Sequence, residues 1–86
     1  MKVLKFYAPW CMPCTVMTKQ IKEMGDLIPQ DLIMEVNIDD PGNQAFTQKF
    51  AIRGIPVLVK LDDEGNEIER AAGLINKEQL QKFLVG

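Results

Sequence analysis

The sequence predicts an α/β fold of order βαβαββα, with a central four-stranded mixed sheet flanked by three helices. Three observations predict it. Short β-branched and aromatic runs alternate with segments whose apolar residues recur at helical spacing, which gives two strand-helix-strand crossovers. An acidic turn, Asp62-Asp63-Glu64-Gly65, separates two further strand-like runs and predicts a hairpin. The 86 residues leave room for one hydrophobic core, so positions 1–86 are read as a single domain.

The elements follow in order. Val3-Leu4-Lys5-Phe6-Tyr7 is apolar at almost every position, as in a central strand covered on both faces, and it stops at Ala8-Pro9. From Pro13 onward Val16, Met17, Ile21 and Met24, then Leu27 or Ile28, recur at helical spacing with Lys19, Gln20, Lys22 and Glu23 between them. This predicts a helix over about 12–25, with Pro13 in the first turn, where an N–H has no intrahelical partner. After a turn at Pro29-Gln30-Asp31, the run Leu32 to Ile38 reads as the second strand. Asp39-Asp40-Pro41 caps and starts a short second helix, whose Phe46 and Phe50 share a face and which Arg53-Gly54 closes. Val57 to Leu61 and Asn66 to Ala72 form the hairpin, the second strand alternating polar and apolar as an edge does. Asn76 with Gln79 makes a capping box, and Ile75 with Leu80 a hydrophobic staple, for a last helix docked by Leu80, Phe83 and Leu84.

Composition excludes several classes of function. Ten Lys and Arg against twelve Asp and Glu are scattered along the chain, so no basic stripe is present to neutralise phosphates and nucleic acid is not an expected partner. No apolar run reaches the roughly 18 residues of a membrane helix. The start, Met1 to Tyr7, is interrupted by Lys5 and lacks the apolar h-region of a secretory signal, so the cytoplasm is the expected location and no membrane is involved. The chain has no histidine, which removes His-based catalysis and most zinc geometries.

Chemistry is left to Cys11-Met12-Pro13-Cys14. A cross-link between residues so close in sequence closes too short a loop to staple a fold, because that stabilisation grows with loop length. At a strand-to-helix junction the pair has another use. The first sulfur is expected to be exposed, and the unpaired N–H groups and dipole of the helix N-terminus favour its thiolate. A depressed thiol pKa raises the thiolate fraction at neutral pH from a few per cent toward half, which makes Cys11 the nucleophile. Cys14 lies one helical turn on and is placed to attack the resulting mixed disulfide and release product, with no bound cofactor or metal. Half a zinc site completed by carboxylates or a second subunit, an iron–sulfur cluster bridging two chains, and two plain core cysteines compete for the same spacing. The junction position and the neighbouring Trp10 and Pro13 weigh against the last.

Four blocks in order, Tyr7 to Cys14, Val36 to Asp39, Ile52 to Leu58, and Gly73 before the last helix, resemble the thioredoxin family over residues 2–85. A C-x-x-C thiol of lowered pKa is itself a property of that family. The resemblance implies a thioredoxin-like fold that begins near the family's second strand, a trimmed form similar to glutaredoxins and small glutaredoxin-sized thioredoxins. It implies a cis Ile55-Pro56 bond facing the cysteines, and pairing of the Ile55 backbone with an extended substrate segment. Trp10 and Gly73 correspond to the aromatic and the glycine that border the docking groove. Met12 and Pro13 belong to the same substrate-binding surface, and Met12 is a flexible apolar side chain suited to varied partners.

Two departures bear on mechanism. Lys5 stands six residues before Cys11, where thioredoxins carry a buried aspartate that moves the proton of the second cysteine. Glu35 stands where the family often has a lysine. Acid and base have thus exchanged strands, and Lys5 and Glu35 are expected to face each other, Glu35 accepting the Cys14 proton and Lys5 favouring thiolates, unless both are simply solvated. The function expected is a monomeric thiol–disulfide oxidoreductase, a reductase of disulfide-containing proteins that draws electrons from an NADPH-dependent thioredoxin reductase. Glutaredoxin-type activity with glutathione as donor is the alternative within that class. Outside it stands a redox-independent binding subunit on the same fold. An isomerase or oxidase is disfavoured by the reducing compartment.

Overall fold

The computed structural model describes residues 1–29 and 31–86, so Gln30, in the turn expected at 29–31, lies outside the described residues. The elements are β1 (Lys2–Tyr7), α1 (Met12–Met24), β2 (Ile33–Asn37), α2 (Gln44–Lys49), β3 (Val57–Leu61), β4 (Glu67–Ala72) and α3 (Lys77–Val85). The four strands form one mixed sheet in the order β2-β1-β3-β4. β1 pairs parallel with β2 and antiparallel with β3, and β3 pairs antiparallel with β4. This is the expected βαβαββα arrangement. No helix among the described residues is long and apolar enough to cross a membrane.

Strand β1 is central because both of its faces are apolar. Val3 packs with Met17, Met24, Leu58, Leu80, Phe83 and Leu84, the residues of α1 and α3 that cover one face together with one from β3. Leu4 and Phe6 pack on the other side with Val36, Phe50, Val57 and Val59 beneath α2. Each such side chain removed from water contributes about 1.5–3 kcal/mol before the cost of ordering it. On α1 the buried stripe runs through Cys14, Met17, Ile21 and Met24, continued by Ile28. Of the two alternatives Leu27 and Ile28 it is Ile28 that joins the stripe, and Val16, expected to belong to it, is exposed instead. Val16 is one residue from Met17, about 100° around the helix, and the stripe is too narrow to include both.

The end of α2 also corrects the sequence reading. The helix stops at Lys49 rather than at Arg53-Gly54. Ala51 takes a left-handed φ of 51°, its N–H donates to the Gln48 carbonyl and the Ile52 N–H to the Thr47 carbonyl, which is a Schellman closure. The usual glycine marker is absent because alanine fills the left-handed position. Start signals are clearer. Asp40 caps the 3₁₀ turn Pro41–Asn43 that leads into α2, and Asn76 and Gln79 form the capping box of α3.

Strand β4 is an edge, mostly exposed, and a bulge opposite Lys60 and Leu61 leaves Ile68 without a partner and facing solvent. Asp62 organises the hairpin turn by accepting the N–H groups of Glu64 and Asn66, and the backbone bond from Asn66 holds its carboxyl below the usual range. Arg70 forks onto both oxygens of Glu67 at 2.8 Å and donates to the Phe50 carbonyl at the end of α2. That hydrogen bond from Arg70 lowers the Glu67 pKa. Stability from the pair is therefore full above the ordinary carboxylate range and fades as pH falls through the lowered folded-state value. A Glu67→Gln protein is expected to lose about 1 kcal/mol or less near neutrality, the contribution being screened at this exposed site, and to match the parent at acid pH. Urea titrations at the two pH values measure it. An equal loss at both would place the contribution in packing instead.

Candidate active site

The loop between β1 and α1 carries the cysteines. Cys11 is the N-cap of α1, extended at φ −88° and ψ 106°, and its Sγ accepts the Cys14 N–H at 3.2 Å. Pro13 falls in the first turn, where its missing N–H costs no hydrogen bond. Cys11 and Cys14 are joined as a disulfide with Cα atoms 5.2 Å apart. The expected exposure of the first sulfur is not found. Cys11 is only 5% and Cys14 2% exposed, because the bridge packs on Ala8 with Tyr7, Ile38 and Ile55 around it.

Exposed side chains surround this buried bridge. Trp10 is 66% and Met12 73% exposed, an apolar surface beside the cysteines. The Trp10 indole N–H donates to Asp39 Oδ2 at 2.7 Å, which fixes the ring despite its exposure. A groove of about 290 Å³ follows, lined by Trp10, Ile38, Thr47, Ile52, Arg53, Gly54 and Ile55. The Ile55-Pro56 bond is cis, as the resemblance implies, and Pro56 is buried. Of the expected contact residues the groove takes Trp10 and Ile55. Pro13 stands exposed beside Met12, and Gly73, at φ 84°, donates its N–H to the Pro56 carbonyl at 2.8 Å.

Lys5 and Glu35 lie on the other side of the cysteines and are direct partners across β1 and β2. Lys5 shares the α1 face of the sheet with Val3, and it is buried at 1% exposure, the one charged side chain so buried among the described residues. Its ammonium donates to Glu35 Oε1 at 3.1 Å and to Thr18 Oγ1, and lies 5.1 Å from the centre of the Tyr7 ring. Glu35 keeps half its side chain in solvent. Of the two alternatives for this pair, facing contact holds, and only Glu35 is solvated. A cavity of about 220 Å³ is lined by Tyr7, Ala8, Pro9, Cys14, Thr15, Thr18 and Glu35, so the second cysteine and the carboxylate border one space. It has room for several water molecules.

Two residues of the site are not marked by the sequence. Asp39 reads as part of a helix start and as the end of one of the four blocks, with no role of its own, but Asp40 is the cap and Asp39 holds Trp10. Thr18 reads as a helix residue of no special role, and its only signal is the spacing of four from Cys14. Among the described residues no three Cys, Asp or Glu side chains cluster so as to hold a metal ion.

Comparison with known proteins agrees with this geometry. The thioredoxin family model matches residues 1–85. A thioredoxin of Chlamydia trachomatis is 32% identical over 82 residues, covering 95% of this chain and 78% of the relative. One from Bacillus subtilis is 35% identical over 80 residues, covering 92% and 74%. Among solved structures, Fasciola hepatica thioredoxin superposes with a TM-score of 0.79 at 27% identity, covering 95% of this chain and 75% of that one. A mutant thioredoxin from Halobacterium salinarum gives 0.78 at 28%, covering 95% and 69%. With its two cysteines bonded at a helix N-terminus, the chain belongs to the thioredoxin family and is a thiol–disulfide oxidoreductase.

Proposed function

We propose that this oxidoreductase is a monomeric, single-domain reductase of protein disulfides in the cytoplasm, supplied with electrons by an NADPH-dependent thioredoxin reductase. The observation that carries the reading is the Cys14 N–H aimed at Cys11 Sγ, 3.2 Å away, at the N-terminus of α1. There, in the reduced protein, a hydrogen bond and the helix dipole favour a Cys11 thiolate. The thiolate attacks one sulfur of a substrate disulfide, a mixed disulfide forms, and the first substrate thiolate leaves. Cys14 then loses its proton and attacks Cys11 Sγ, which closes the internal disulfide and expels the second substrate thiolate. Two electrons pass from protein to substrate.

Substrate is held by the apolar surface of Trp10, Met12 and Pro13 and by the loop of Ile55, Pro56 and Gly73. An extended segment pairs with the Ile55 backbone in a local strand addition. Glu35 accepts the Cys14 proton through water in the space that both border, and hands it to solvent at its exposed end. The Lys5 ammonium stabilises the thiolate as it forms.

The donor is tested by NADPH consumption during turnover of a disulfide substrate, once with thioredoxin reductase and once with glutathione and glutathione reductase, with Cys11→Ser as control. Faster turnover with the first pair is expected, since Trp10-Cys11-x-Pro13-Cys14 is the thioredoxin arrangement. Preference for glutathione would reassign the donor. Turnover that survives in Cys11→Ser would overturn the relay itself.

A further inference from the structure

Thr18 links the cysteine turn to the buried charge. It lies four residues after Cys14, on the same face of α1. Its hydroxyl donates to the Cys14 carbonyl at 3.1 Å and accepts from the Lys5 ammonium, so its proton and one lone pair are both committed. An ammonium has three N–H donors. Here Glu35 takes one, Thr18 another, and the Tyr7 ring faces the charge. The charged and titratable groups around Lys5 are Tyr7 from β1, Glu35 from β2 and Lys22 from α1, which lines a cavity with Lys5, while β3 presents Leu58 in register.

The two anchors of the ammonium are unequal. Glu35 has a side chain 51% exposed, so it can carry a bound ammonium toward water, whereas Thr18 sits on a helix. Without the hydroxyl, the long Lys5 stem would let its charge follow Glu35 outward. We infer that Thr18 is a positioning residue of the redox reaction, its hydroxyl tying the Lys5 charge to the helical turn that begins at Cys14. The Cys14 thiolate then forms with a positive charge fixed to its own helical turn. This rests on the proton path from Cys14 to Glu35 proposed above.

The test is the rate of the second step, closure of the mixed disulfide by Cys14, followed in single turnovers by acid quench and mass across the neutral pH range. Thr18→Val is expected to move the midpoint up by about one pH unit, a slowing of about tenfold on the acid side. Thr18→Ser, which restores the hydroxyl, is expected to keep the parent profile. Thr18→Ala gives the same reading should the valine protein not fold, and must shift the midpoint in the same direction. If Glu35→Gln shifts the profile and neither hydroxyl-free variant does, the inference about Thr18 fails while the proton path stands. If none of the three shifts it, the proton path fails and the role of Thr18 with it.

Discussion

A Cys14→Ser protein mixed with a disulfide-bonded protein is expected to accumulate a covalent one-to-one adduct through Cys11, while Cys11→Ser forms none and reduces disulfides only at the uncatalysed rate. Cys11 alone receives the Cys14 N–H at the helix N-terminus, so only its sulfur has a preset partner as a thiolate. Cys14 attacks from a Cα 5.2 Å away, and this intramolecular geometry is what makes the second exchange fast. With serine at position 14 that step has no nucleophile, and the first bond formed remains. Intact mass under non-reducing conditions, with one equivalent of thiol released, measures the outcome. An adduct in the Cys11→Ser protein instead would reverse the two roles, and no adduct in either would remove the relay.

A second large effect is expected at Phe6. Its side chain is fully buried in the central strand, with its ring 6.2 Å from that of Phe50 and with Leu4, Val36, Val57 and Val59 in the same cluster. Phe6→Ala removes that surface and leaves a cavity walled by residues of β1, β2 and β3 and by the end of α2, costing about 3–5 kcal/mol. A chain of 86 residues has a total of only about 4–13 kcal/mol. The variant is expected to melt at least about 12 °C lower, with a matching fall in the urea midpoint. A loss below about 1 kcal/mol would show that α2 closes over the gap.

The strands and two of the helices are legible in sequence because each carries its own local signal. Val3 to Tyr7 has no polar face but one lysine, Asn76 has its reciprocal Gln79, and the acidic turn separates the hairpin strands. What is not legible depends on partners distant in sequence or on a missing marker. Ala51 ends α2 in a conformation that normally announces itself with glycine, and Arg70, 20 residues beyond Phe50, satisfies the Phe50 carbonyl next to it. The burial of Cys11 comes from Ile38 and Ile55, supplied by two other segments. The facing of Lys5 and Glu35 follows from what the family carries at those two positions, but Thr18 does not, since a threonine in a helix carries no mark of what its hydroxyl meets.

The two edges of the sheet differ in how they treat a stranger. Along β4, Glu67, Glu69 and Arg70 are charged and the bulge at Ile68 twists the ladder, so a foreign strand finds neither register nor neutrality there. β2 reads Ile33-Met34-Glu35-Val36-Asn37, with a half-exposed methionine and a single charge. Glu35 is therefore also the gatekeeper of that edge against aggregation. Neutralising it to study proton transfer strips the strand of its only charge, so the Glu35→Gln protein belongs in dilute solution, where a lower rate reports chemistry rather than clumping.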